Sequence, residues 1–96
     1  MLDVETARKE LLQKSLLHIE KATALTWASR AAAALDLAAG ATTERKRGQW
    51  LQDAENYRQE ALEHAAMTED MEFLAAVITE IKTHRKAALK PLDKTA

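Results

Sequence analysis

Helix-breaking residues are so scarce in this chain that they constrain its fold more than any other feature. Among 96 residues there are two glycines, Gly40 and Gly48, and one proline, Pro91. Residues 1–39 and 49–89 therefore run without a residue that readily stops a helix. Both stretches are rich in alanine, leucine, glutamate, lysine and arginine, the strongest helix formers on intrinsic preference. The chain reads as all-α. Asp3 stands before the first periodic residue and predicts an N-cap, with Glu5 in the first turn. Gly40 fits a left-handed residue closing the first helix. Ala41 to Gly48 reads as a polar connection, and Pro91 ends the second segment. Residues 1–90 are thus expected to form a single helical domain and 91–96 a flexible tail.

Composition narrows the function more than it names it. Apolar types make up 47% of the chain, but twenty of those residues are alanine and only four are aromatic. A chain this short builds one core at most. The absence of cysteine excludes a disulfide-stapled scaffold and any Cys-based zinc or redox site. No run of 18 apolar residues exists, so no membrane span is expected. The charged first ten residues do not read as a secretory signal, which points to the cytoplasm. A net charge of −1 excludes a global field that attracts nucleic acid or anionic lipid. Charge is nevertheless segregated. Residues 53–72 carry seven acids against Arg58, whereas 42–52 and 73–96 are basic. Such segregation sets register or partner choice between helices.

Heptad-like spacing runs through both segments. Val4, Leu11, His18, Leu25, Ala32 and Ala39 recur at sevens, as do Trp50, Tyr57, His64, Met71 and Ile78. Two architectures follow. Helices over about 4–39 and 49–89 give a long antiparallel hairpin. A break near Thr68, read as an N-cap followed by Glu69 and Asp70, gives a three-helix bundle. With a turn centred near residue 44, hairpin neighbours have numbers adding to about 88. Trp50 then faces Ala38 and Ala39, Tyr57 faces Ala31 and Ala32, and Trp27 faces Ala61. At the open end Ile78 and Ile81 meet Leu11 and Ala7. Large residues oppose small ones, as close-packed helices require.

Further apolar lines lie off these seams, including Leu16, Leu17 and Trp27 in the first segment and Leu62, Phe73 and Val77 in the second. A helix apolar on more than one face is central in a bundle or sits at an oligomer interface. Self-association into a helical bundle, most simply a homodimer, is the expected solution. The function expected is a non-catalytic protein–protein interaction module. Leu17, Trp27, Tyr57, Met71 and Phe73 are its expected anchors, with a second copy or another protein as partner and no cofactor.

Two rival chemistries have named residues. Glu60 and His64 stand at i, i+4 with Glu63 beside them, a carboxylate–imidazole set that could ligate a metal across a dimer. Residues Glu63 to Thr68 resemble the second helix of ferritin-like carboxylate proteins. That resemblance implies a Glu three residues before His64, where this chain has Ala61, and a ligating Glu on the first helix, where it has an alanine run. Ala54, Tyr57, Ala61 and Leu62 are similar in spacing to a tetratricopeptide helix, a fold that needs about three units to be stable. The second rival is nucleic-acid association through Arg45, Lys46 and Arg47 beside Trp50. Lys82, Arg85, Lys86 and Lys90 form another basic cluster, which a hairpin would place at the far end. Nucleophilic catalysis has no support: there is no cysteine, no Gly-flanked serine and no Gly-rich phosphate loop.

Overall fold

The computed structural model describes residues 3–90, so the expected tail at 91–96 lies outside the described residues. Three helices follow in order: α1 (Val4–Ala39), α2 (Glu44–Met67) and α3 (Met71–Ala88). There is no strand among the described residues. Asp3 caps α1 as its position implies, accepting the Glu5 N–H at 3.0 Å and the Thr6 hydroxyl at 2.8 Å. Those bonds hold its carboxyl below the usual carboxylate range, the Thr6 hydroxyl contributing most.

The connection between α1 and α2 is shorter than its composition suggests. Gly40 is right-handed, with φ −88°, rather than left-handed, and its N–H closes α1 on the Asp36 carbonyl at 3.1 Å. After three more residues Thr43 caps α2, its hydroxyl accepting the Lys46 N–H at 3.2 Å. Arg45, Lys46 and Arg47 therefore lie in the first turn of a helix and not in a loop, and Gly48 is helical. Three cations at a helix N-terminus oppose the macrodipole, which is why the sequence reads as a loop there. The Thr43 cap and the burial of Arg47, only 8% exposed, outweigh that cost.

The second segment breaks at the suspected place, but with different roles for its residues. Thr68 ends α2 instead of starting α3. It is buried, and its hydroxyl donates to the Ala65 carbonyl at 2.6 Å and accepts the Asp70 N–H at 3.2 Å. Asp70 is the true N-cap, accepting the Phe73 N–H at 3.0 Å. Between them Glu69 takes φ +56°, the left-handed region that costs a residue with a Cβ roughly 1 kcal/mol. Glu69→Gly is therefore expected to raise the thermal midpoint by a few degrees, and Glu69→Val to lower it, in melts followed by circular dichroism.

α2 runs antiparallel to α1 and α3 returns parallel to it. Trp27 stacks on Tyr57 and Glu20 meets His64, pairs whose numbers both add to 84, so the turn centres on residue 42. This is one helical turn from the expected register, the shift caused by α2 starting at Glu44. Lys21 with Asp70 and Asp36 with His84 keep α3 in step with α1 at an offset of 48 to 49 residues. Ile81 consequently lines a cleft with Leu35 and does not meet Ala7.

The core follows lines other than the two seams of bulky residues. Ala24, Ala28, Ala31, Leu35 and Ala38 form the buried edge of α1, and Ala54, Ala61 and Ala65 that of α2. Leu25 on the expected seam is 47% exposed, and Trp50 36%. Ten of the thirteen buried apolar residues are alanine, with Val77 and Ile81 of α3 filling the remaining space. Trp27, Leu51, Tyr57, Leu62, Phe73 and Leu74 pack around this seam, half-buried. Alanine allows the helix backbones to approach closely, and the large side chains fill the flanks.

Candidate interaction surfaces

α1 is longer than the elements that cover it. At about 1.5 Å per residue its 36 residues span roughly 54 Å, against roughly 36 Å for α2. In the observed register Met67, the last residue of α2, lies opposite residue 17. Residues 4–16 of α1 are exposed throughout, except for half-buried Ala7. This arm has its apolar side turned away from the line that faces the bundle. Traced backwards by heptads, the buried line Ala38, Leu35, Ala31, Ala28 and Ala24 continues through Lys21, Leu17, Lys14, Glu10 and Ala7. It turns largely polar where α2 and α3 stop. Opposite that line stand Leu12 (60% exposed) and Leu16 (53%), with Ile19 (58%) one turn beyond the arm, while Val4 (66%) and Leu11 (66%) lie on its flank. Leu12, Leu16 and Ile19 stand at i, i+4, i+7, one stripe of a helix. Val4, Leu11, Leu12 and Ile19 belong to or adjoin the sequence seam, but among the described residues they are exposed.

The five expected anchors are distributed differently. Trp27 and Tyr57 stack within the chain, ring centres 5.8 Å apart, and the Arg30 guanidinium lies 4.8 Å from the Trp27 ring. Phe73 packs on the core, with the Lys21 ammonium 5.6 Å from its ring. Leu17 is half-buried at the root of the arm, beside Lys14, His18 and Lys21. Met71 is 72% exposed at the elbow between α2 and α3. Leu12 and Leu16 were not among the expected anchors, although the polar residues at Glu10, Gln13 and Lys14 mark the reversal of the apolar face.

His64 and His84 each meet a carboxylate of α1. His64 Nδ1 lies 2.6 Å from Glu20 Oε2 of α1, and its Nε2 lies 3.9 Å from Glu60. Glu63 is exposed and joins neither contact. Among the described residues no group of three or more His, Asp or Glu side chains is placed to hold a metal ion. The ferritin-like likeness of Glu63 to Thr68 therefore stays with its helix. Nor does α1 suit a tetratricopeptide unit, since it alone exceeds the 34 residues in which that repeat fits two helices.

The basic clusters are brought together rather than separated. Because α3 returns alongside α1, its last turn lies at the same end as the start of α2. Leu89 and Arg85 share a cleft with Leu51 and Leu35. Arg45, Lys46, Lys86 and Lys90, all exposed, thus gather at one end, and Glu60, Glu63, Glu69 and Glu72 lie toward the other. Arg47 is withdrawn into the structure and meets Glu44 at 3.9 Å.

Asp70 joins α1 to the start of α3 electrostatically. The Lys21 ammonium at 2.9 Å and then the Phe73 N–H hold its carboxyl below the usual carboxylate range. A depressed folded-state pKa adds stability above the unfolded value, and this is lost as pH falls through the folded value. Acid melts are expected to show that loss below about pH 4. Asp70→Asn should flatten the profile there while lowering stability at neutral pH.

No protein-family model, curated protein or solved structure matches the chain. Among the described residues no helix is long and apolar enough to cross a membrane.

Proposed function

We propose that this chain is a non-catalytic helical interaction module that self-associates through the projecting N-terminal third of α1. The observation that carries this reading is the N-terminal part of α1, whose bundle-facing line is largely polar and whose opposite side carries the exposed stripe Leu12, Leu16 and Ile19, flanked by exposed Val4 and Leu11. The alanine core adds support. A buried alanine contributes far less than a leucine at roughly 0.8 kcal/mol per buried CH₂, so much of the apolar surface available to stabilise the chain lies outside its core. Antiparallel pairing of two arms places Leu12, Leu16 and Ile19 of each against the other and covers both stripes with one symmetric contact. Native mass measurement of the full chain over a micromolar concentration series tests this. A species of twice 10.7 kDa is expected to grow with concentration. A single-chain mass throughout would overturn it.

A second reading, association with nucleic acid, gains from the gathering of Arg45, Lys46, Lys86 and Lys90 at one end. It requires affinity for a DNA or RNA duplex that falls steeply with salt and disappears on Arg45→Glu with Lys46→Glu.

A further inference from the structure

α2 and α3 leave an apolar groove on the side away from the Trp27–Tyr57 stack. One cleft of about 190 Å³ is lined by Leu62, Ile78 and Ile81 and rimmed by Arg58, Lys82 and Arg85. A second, of about 160 Å³, shares Arg58, Ile81 and Arg85 with it and extends the floor to Leu51 and Leu89. Ile78 and Leu89 are 44% and 50% exposed. From Leu51 to Leu62 the floor is about 16 Å long, three turns of a helix.

We infer that this groove receives an acidic amphipathic helix of another protein. Its floor fits apolar side chains at i, i+3 or i+4 and i+7, the spacing by which helices lie in grooves. The charge of its rim selects the flanks. Glu55 accepts from Arg58 Nε at 2.8 Å and is offset by it, leaving Lys82 and Arg85 exposed with no carboxylate within 4.0 Å among the described residues. The groove opens toward the basic end, where Lys86 and Lys90 extend the same field and steer an anionic partner inward. The arm of a second copy is not the match. Its acids, Asp3, Glu5 and Glu10, are balanced by Arg8, Lys9 and Lys14, so it brings no net negative charge. A phosphate backbone would leave the apolar floor uncovered.

The proposal rests on the chain being an interaction module but not on pairing through α1. The test uses the full chain and three fluorescein-labelled 16-residue peptides. One carries leucines at the stated spacing between glutamates, one has lysines for the glutamates, and one has the acidic composition with its leucines dispersed. Fluorescence anisotropy is expected to show binding of the first alone, weakening as salt rises from 50 to 300 mM. Lys82→Glu with Arg85→Glu, both exposed positions, should weaken it by about tenfold or more with helix content retained. Ile78→Asp should remove it. The same affinity in the Leu12→Asp, Ile19→Asp chain would hold even if self-association were lost, separating the two readings. Equal binding of the lysine or dispersed peptide overturns the proposal, as does indifference to the Lys82/Arg85 reversal. Loss of self-association on that reversal would assign the groove to a second copy, and competition by a DNA duplex would assign it to nucleic acid; either result overturns the proposal.

Discussion

Ala61→Leu is expected to lower stability by about 1–3 kcal/mol, and the thermal midpoint by about 4–8 °C for each kcal/mol. Ala61 is fully buried on the α2 edge that faces the alanine line of α1. Three added heavy atoms have no space there unless the two backbones separate. Separation would also disturb the Trp27–Tyr57 stack and the Glu20–His64 pair, which fix the register of the same two helices. Ala76→Leu is the matching control. Ala76 is an exposed helical position, and its change should stay within about 0.5 kcal/mol. Equal melts for the two variants would mean that the alanine seam is not the close contact described.

The second large effect concerns assembly. Leu12→Asp with Ile19→Asp should leave a folded chain of single mass at concentrations where the parent pairs. Burying a leucine or isoleucine contributes about 1.5–3 kcal/mol, and a symmetric contact loses two such residues from each copy. The association constant should then fall by more than about a thousandfold. Helix content and melting of the covered part should be retained, because both positions lie on the side of α1 away from its core. Gln13→Asp with Lys14→Glu, on or beside the line facing the bundle, should leave pairing intact. If the apolar pair can be charged without changing the mass, the arm is not the contact.

Much of the helical architecture was legible in the sequence, because breakers and caps act locally. Asp3, the turn after Ala39 and the interruption around Thr68 to Asp70 are all visible from residue type. The core lines differ from the expected seams because bulk and burial diverge here. A seam drawn through Leu11, Leu25 and Trp50 follows side-chain size, whereas these helices close on alanine and leave large residues at the flanks. The register lies one turn from the expected one because Arg45, Lys46 and Arg47 are helical, where a single threonine cap and the burial of Arg47 prevail over the dipole. Placing the two basic clusters at opposite ends followed from the hairpin, since a break of three residues reverses the last 18-residue helix. Of the surfaces, the exposed stripe on α1 was legible as apolar periodicity. That no described residue covers it depends on where α2 ends, a tertiary fact that no local pattern carries.

Hydrogen exchange of the full chain, followed residue by residue at low and high micromolar concentration, tests the role of the arm most directly. An uncovered helical end opens readily, while one packed against a second copy is held closed. Amides of residues 4–16 are expected to slow by about tenfold or more as concentration rises, with those of the alanine seam changing far less. Exchange in the arm that is fast and independent of concentration would contradict self-association through α1.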